Sequence, residues 1–449
     1  MGLICELPKV IAEAEKEYEE LKSAPFVLKE QHGSSDNILT LGDNAAFMKN
    51  LLEDGMEGKI QQIYIDPPFF SKASYDAVIK LQGAEGEMAL KHRAYEDVWK
   101  EGMTEYLKML AVRLFLMGDL LSPEGTIWVH LDWHGVHYVK MLMDEIFGEK
   151  NFINEIIWTY KSGGSSKKHF ARKHDTILVY GKTDKYYLNL PKEKSYNRGL
   201  KPYRFKGVKE YQDQVGWYTM VNMKDVWSID MVGRTSGERT GYATQKPEAL
   251  LERIVASGSR EGDICADFFC GSATLGAAAG RLGRKWICCD NGMLAVAAAM
   301  KRLSRQGQNM KILCRTPADE SRIVIRADTY CTPTLFNDKI ILTVELKEYE
   351  LREAEKVHQD EPHKTVAKAA QENPLALVDF WSVDTDWDGR VFRPDASFYR
   401  DRKGLCTRAE LEVEADGGRF AENRKIAVRT VDVLGNIGFD VMDGGKIFG

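Results

Sequence analysis

The sequence predicts an α/β protein: a doubly wound, mostly parallel sheet of seven strands, carrying a basic insertion and a C-terminal β-rich domain. Three observations predict it. Through residue 305, short β-prone runs alternate with amphipathic helical stretches, the pattern of strand–helix units wound into a mostly parallel sheet. The segment 181–240 breaks that pattern, with weak periodicity and many Tyr, Lys, Arg and Gly residues. Beyond residue 310 the chain changes again, to short strands separated by Gly, Asp and Asn turns.

Residues 1–36 read as an N-terminal helical arm, because 6–24 alternate acidic and basic positions around Val10, Ile11, Ala14, Tyr18 and Leu21. Residues 37–180 hold the first half of the α/β domain. A strand over 38–42 ends at Asp43, 45–52 is a short helix, and 61–66 is the next strand. Tyr106, Met109, Leu110, Arg113, Leu114, Met117 and Leu121 recur at helical spacing and predict a helix over 102–121. Strand 126–132 and helix 136–147 follow. Strands 153–160 and 176–180 lack a helix between them and are free to pair antiparallel. A Gly/Ser/Lys-rich loop, 161–174, joins them. After the 181–240 insertion, residues 241–309 complete the domain with helix 247–257, strand 263–268, a small-residue helix over 273–282, strand 285–290 and helix 293–303. In the tail, 310–449, strands are expected at 323–326, 339–346, 390–392, 411–414 and 426–433, around one charged helix spanning about 347–372.

Composition narrows the function classes. A chain of 449 residues with 44% hydrophobic and 29% charged residues is long enough for two or three cored domains. No N-terminal stretch reads as a signal peptide, and no run reaches the roughly 18 apolar residues of a membrane helix, so no membrane role is expected. The eight cysteines form no CxxC pair and have no histidine cluster at zinc spacing. Metal binding is therefore not expected, and buried free thiols fit a reducing cytoplasm. The net charge of −5 hides an asymmetry. Residues 160–240 hold 17 Lys/Arg against 8 Asp/Glu, and residues 341–449 hold 16 against 22. A basic middle and an acidic tail imply different partners.

Two stretches carry chemistry. In Ile63-Tyr64-Ile65-Asp66-Pro67-Pro68-Phe69 a strand stops at an acid and two prolines, neither of which can donate to a sheet ladder. The stiff turn holds Asp66 and the Pro67 carbonyl, with the Phe69 ring, at the carboxyl edge of the sheet, where ligands of open α/β folds bind. Two acceptors and a ring face suit the exocyclic amino group of a flat base. The second stretch, Ala266-Asp267-Phe268-Phe269-Cys270-Gly271-Ser272, turns a buried strand sharply into a helix. Gly271 permits close backbone approach, and the helix start offers free amides. Some twenty residues on, Asp290 ends a strand where an acid can accept from ribose hydroxyls. Upstream, in Thr244-Gln245-Lys246-Pro247-Glu248, Thr244 can cap a helix with Pro247 in its first turn. Lys246 then stands near a pocket where it could meet a carboxylate.

Taken together, Asp-Pro-Pro-Phe at 66–69, Thr-Gln-Lys-Pro at 244–247 and Asp-Phe-Phe-Cys-Gly-Ser at 267–272 resemble the motifs of S-adenosylmethionine-dependent amino DNA methyltransferases. The catalytic motif precedes the cofactor motif with a variable segment between, an order similar to the β group, which includes the modification subunits of Type III restriction systems. The resemblance covers roughly residues 37–305 and extends to Leu41-Gly42-Asp43, Gly125–His130 and Lys173–Leu178. It departs at Phe268 and Ala273, where the family usually has Pro and Gly, and at Phe69 and Phe70, where it usually has Tyr and Asn.

The resemblance implies a seven-stranded methyltransferase sheet and transfer of a methyl group to the N6 amino group of a flipped adenine. Asp66, Pro67, Pro68 and Phe69 would be catalytic. Asp43, Lys246, Asp267, Phe269, Cys270, Gly271 and Asp290 would bind the cofactor, with Asp43 near its adenine and Lys246 and 269–271 at its methionine end. The basic 181–240 segment lies where the family reads its target, so Lys201, Arg204, Lys206, Lys209, Arg234 and Arg239 are expected to contact double-stranded DNA. The competing expectations are an N4-cytosine enzyme and a catalytically idle DNA-binding subunit. A homodimer and a restriction or helicase subunit are the implied protein partners.

Overall fold

The computed structural model describes residues 3–83, 86–100, 102–161, 166–233, 235–315, 323–334, 338–352, 361–401, 404–414 and 424–444. Its main sheet has ten strands rather than seven. In chain order they are β1 (Phe26–His32), β2 (Ile38–Leu41), β3 (Ile60–Ile65), β4 (Leu121–Leu131), β5 (Phe152–Thr159), β6 (His174–Gly181), β7 (Val226–Ser228), β8 (Ile264–Asp267), β9 (Lys285–Asp290) and β10 (Met310–Arg315). Across the sheet they run β1-β10-β2-β9-β8-β3-β4-β6-β5-β7.

All seven expected strands are present, and β5 and β6 pair antiparallel. The three additional strands lie at the sheet's margins. β1 closes one edge antiparallel to β10, which itself runs parallel to β2. The sheet therefore reaches back into the expected arm and forward past residue 309, correcting both boundaries. β7 adds to β5 in parallel from within the basic segment, with Trp227 buried. Its three residues are too short for periodicity to flag.

The sheet is two-layered in its covering. Helices α1 (Leu3–Glu20), α2 (Asn44–Glu53), α3 (Met103–Leu120) and α4 (Val136–Met143) pack on one face, with Ile63, Ile65, Val129 and Leu131 beneath them. Helices α5 (Glu248–Gly258), α6 (Thr274–Arg281) and α7 (Met293–Arg305) cover the other, over Tyr64, Trp128 and Cys265. The alternation of Ile63 and Ile65 with Tyr64 is the two-residue period of a strand covered on both sides. From β3 the chain crosses α3 to β4 on one side, and from β8 it crosses α6 to β9 on the other. The connections diverge between the neighbours β8 and β3, so a switch point opens at their carboxyl ends.

Two further strands, Ser74–Gly83 and Gly86–Glu96, form a hairpin that periodicity did not announce. The insertion carries its own antiparallel sheet of Glu210–Gln212, Trp217–Asn222 and Lys192–Tyr196. The tail builds two sheets. One holds Ile323–Pro333, Lys339–Leu351 and Arg408–Glu414; the other holds Ala396–Tyr399, Val378–Asp384, Lys425–Asp432 and Ile437–Asp443. Their shared core includes Ile325, Leu342, Trp381 and Val428.

The charged helix is shorter than expected, Glu361–Glu372. Residues to Leu351 extend a strand instead, because Tyr349 alternates inward and pairs with Ile325. The stretch expected as strand 390–392 makes a single bridge, Phe392 to Glu30. The tail is docked, not tethered: Phe380 and Val431 enter the core under α6 and α7. Arg429 pairs with Glu30 of β1 inside that contact, and Lys301 of α7 donates to Asp379 at 2.6 Å.

Candidate active site

The carboxyl ends of β3, β4, β8 and β9 open into one cleft of about 770 Å³. Its lining includes Asp66, Pro67, Pro68, Phe69, Lys246, Asp267, Phe269, Cys270, Gly271 and Asp290. Residues up to 224 positions apart in sequence thus meet where the switch point predicts a ligand. Asp43 is not among the lining residues. It caps α2, accepting from the Ala46 amide at 2.9 Å, and its other oxygen pairs with Arg113 at 2.9 Å.

Asp66 follows the last residue of β3, and the two prolines release the chain from the ladder. Phe70 then adopts φ 62° and Lys72 φ 57°, the left-handed region that favours Asn and Gly over bulky side chains. Lys246 donates to Asp66 Oδ2 in a close ion pair. The carboxylate anticipated for Lys246 is therefore supplied by the chain itself. Lys246 also lies 5.3 Å from the centre of the Phe69 ring. The second Asp66 oxygen, Oδ1, is buried with no hydrogen-bond partner among the described residues. A buried acceptor left open costs free energy unless something fills it.

Behind Asp66 lies a buried relay that the motifs did not reveal. His130 of β4 is fully buried. Its Nδ1 is 2.8 Å from the Tyr64 hydroxyl and 4.0 Å from Asp66 Oδ1. Its Nε2 is 3.3 Å from Asp175 Oδ2, and the Tyr160 hydroxyl donates to Asp175 Oδ1 at 3.1 Å. Phe69 lies 5.8 Å from the His130 ring. Burial alone would raise the Asp175 carboxyl, but the hydrogen bond and charge of His130, helped by Lys246, hold it below its ordinary value. The sequence signal was a histidine inside an apolar strand, with an acid two residues further on the same face. That acid, Asp132, also lines the cleft, and burial lifts its carboxyl despite the hydrogen bonds from His134.

On the opposite wall, the turn after β8 is held by acids. The Phe269 amide donates to Asp267 at 3.0 Å. Burial still pushes the Asp267 carboxyl well above the usual range. Asp290 accepts from the Gly271 amide at 2.8 Å and from the Gly292 amide at 2.8 Å, and burial raises its carboxyl too. Gly271 has φ 50°, and a Cβ there would stand 3.0 Å from the Tyr242 ring. Ala273 holds φ 52° at the start of α6, a left-handed conformation that costs a non-glycine residue about 1–2 kcal/mol. The departure from Gly at this position is thus absorbed as strain, with the turn intact.

Gln245 organises the turn that presents Lys246. Its Oε1 accepts from the Thr240 amide and hydroxyl, and its Nε2 donates to the Glu238 carbonyl at 2.7 Å. Thr244 does not cap α5. The cap position falls on Pro247, and the Glu248 amide is satisfied by Glu238 at 3.0 Å. Of the residues expected on DNA, Lys201, Arg204, Lys206, Lys209 and Arg239 are exposed, outside the cleft lining. Arg234 lies outside the described residues. No helix among the described residues is long and apolar enough to cross a membrane, and none of their His, Cys, Asp and Glu side chains cluster as a metal site.

Comparison with known proteins agrees with this geometry. A Type II methyltransferase of Lactococcus lactis subsp. cremoris, M2.LlaDCHI, is 34% identical over 292 residues, 64% of this chain and 94% of that protein. The DNA adenine methyltransferase YhdJ of Escherichia coli K12 is 25% identical, over 60% of this chain and 84% of its own. The Mod subunit of the Type III restriction-modification enzyme EcoP15I, from Escherichia coli, is 26% identical over 34% of this chain and 25% of its own length. The N6/N4 family described as DNA methylase matches residues 60–301, from the start of β3 into α7. The stretch contains both walls of the cleft, and the chain belongs to the N6/N4 DNA methylase family.

Proposed function

We propose that this protein transfers a methyl group from S-adenosylmethionine to the N6 amino group of an adenine flipped out of double-stranded DNA. The observation that carries the reading is the pairing, in one cleft, of Asp66, whose buried Oδ1 has no hydrogen-bond partner among the described residues, with the Gly271 turn. A relative named as a DNA adenine methyltransferase supports adenine as the base. S-adenosylmethionine, when bound, supplies a methyl group activated on a positively charged sulfur. The cleft suits a cationic donor: Asp66, Asp132, Asp175, Asp267 and Asp290 line it, against Lys246 as its one Lys or Arg among the described residues. The close approach at Gly271 suits a ligand laid against backbone.

The chain's own groups then act on the amino nitrogen. Asp66 Oδ1 and the Pro67 carbonyl accept its two hydrogens, which draws the nitrogen towards a tetrahedral form with its lone pair free. Phe69 stacks on the base. The proton shed after transfer passes to Asp66, with Lys246 holding that carboxylate in place. Lys246 and the 269–271 turn hold the methionine end of the donor, and Asp290 faces its ribose. Orientation of this kind is worth about 7–11 kcal/mol of a barrier. Mass spectrometry of nucleosides from unmethylated DNA incubated with the protein and S-adenosylmethionine tests the reading. N6-methyladenine is the expected product, N4-methylcytosine would move the chemistry to the other base, and no methylated base would reject it.

The exposed cations of the insertion are proposed to hold the duplex backbone. Removing Lys206 and Lys209 together is expected to weaken DNA binding alike on all sequences and to flatten the dependence of log affinity on log salt by about two. An unchanged slope would take these residues off the DNA. A restriction or helicase subunit, or a second copy, is proposed to dock on the tail, whose strand Ile437–Asp443 exposes Phe439 and Val441. Light scattering of the full chain, alone and with such a subunit, tests that assignment, and a monomer in both conditions rejects it. Free cysteines and a DNA substrate fit a reducing cytoplasm.

A further inference from the structure

We propose that Phe170 is a wedge that enters the DNA stack in place of the base drawn into the cleft. This inference rests on the base-flipping reading above and adds the part of the chain that stabilises the flipped duplex.

The strap between β5 and β6 leaves the cleft rim at Tyr160 and returns to it at Asp175, and both residues line the cleft. Its root is fixed. The Tyr160 amide donates to the Lys173 carbonyl at 3.1 Å, and the Lys161 amide to Asp230 at 3.1 Å. Arg172 lies 3.8 Å from the centre of the Trp133 ring, and Trp133 follows the cleft-lining Asp132. Two residues before that anchor, which is at most about 7 Å along the chain, Phe170 is 98% exposed.

A phenyl ring standing in water, two residues from the anchor at the cleft rim, gains nothing for the fold, since it buries almost no area. Its neighbours select the partner. Residues 161–174 contain Lys161, Lys167, Lys168, Arg172 and Lys173, and no Asp or Glu. That charge pattern suits phosphates, which position a protein on a duplex without reading it. Between those phosphates an extruded base leaves a gap in the stack, and an apolar ring fills such a gap by intercalation. The Arg172–Trp133 stack joins the strap to the rim, which keeps Phe170, two residues away, within reach of the gap that an extruded base would leave.

The test compares the full-length wild type, Phe170→Ala and Phe170→Trp on two substrates: a matched duplex, and the same duplex with the target adenine mispaired. Mispairing removes much of the cost of extrusion. Phe170→Ala is expected to lower turnover about tenfold on the matched duplex and to match the wild type on the mispaired one, while Phe170→Trp retains activity on both. A fluorescent 2-aminopurine at the target is expected to brighten on binding the wild type and to stay quenched with Phe170→Ala. Equal wild-type and Phe170→Ala turnover on the matched duplex would overturn the wedge, as would the same loss on both substrates. A wild type that methylates neither substrate would instead overturn the methyl-transfer reading, and the wedge with it.

Discussion

Asp66→Asn is expected to lower turnover on DNA by about 100- to 1000-fold, the loss seen when one preorganised electrostatic contact to a transition state is removed. Affinity for S-adenosylmethionine is expected to be retained or improved. The split follows from the geometry. Asp66 Oδ1 is a buried acceptor with no hydrogen-bond partner among the described residues, so its place is free for an amino hydrogen. Asparagine can keep one oxygen in the cleft, but its NH₂ turns a donor towards either Lys246 or the target amine. In both orientations two donors face each other. The Lys246 ammonium, no longer held by a carboxylate, is free for the carboxylate of the donor. Asp66→Ala removes the acceptor outright and leaves Lys246, whose side chain is 9% exposed, without its counter-charge. That variant is expected to lose activity and also stability, because breaking a largely buried pair costs about 3–5 kcal/mol. Single-turnover methylation and equilibrium cofactor binding measure the two effects separately. Undiminished turnover in Asp66→Asn would take Asp66 out of the chemistry.

The relation of Lys246 to Asp66 shows what the sequence made legible. That 66–69, 244–247 and 267–272 belong to one site could be read from motif order and from the rule that strands end at a binding edge. The pairing of the lysine with Asp66 could not, because 180 positions separate them and local patterns say nothing of such contacts. The relay through Tyr64, His130 and Asp175 was hidden for the same reason: each residue looks like an ordinary member of its own strand. Asp43 was assigned by resemblance alone, and its local role, capping α2 and pairing with Arg113, was equally readable from an acid just before a helix. The seven inner strands were legible because each is long or strongly apolar. β1, β7 and β10 were not, because their place depends on partners distant in sequence.

Asp290→Ala is expected to act on the other half of the site, weakening S-adenosylmethionine binding by about 10- to 100-fold. Its carboxylate joins two turns: one oxygen accepts from the Gly271 amide after β8, the other from the Gly292 amide after β9. Alanine leaves both amides unpaired in a site that excludes much of the water. Each lost bond to a charged acceptor is worth about 1.5–3 kcal/mol, so thermal stability is expected to fall as well. Gly271 is the sensitive point. It sits at φ 50° with Tyr242 against it, and without the Asp290 anchor nothing in its own side chain restores that geometry. Asp290→Asn does not rescue the turn. An asparagine offers one acceptor and one donor group, and the donor would confront one of the two amides. Both variants are therefore expected to raise the KM for the donor while saturating cofactor recovers most of the turnover, the reverse of Asp66→Asn. Titration of S-adenosylmethionine against the two variants decides between an anchor and a bystander, and an unchanged affinity in Asp290→Ala would leave the turn to be held by α6 alone.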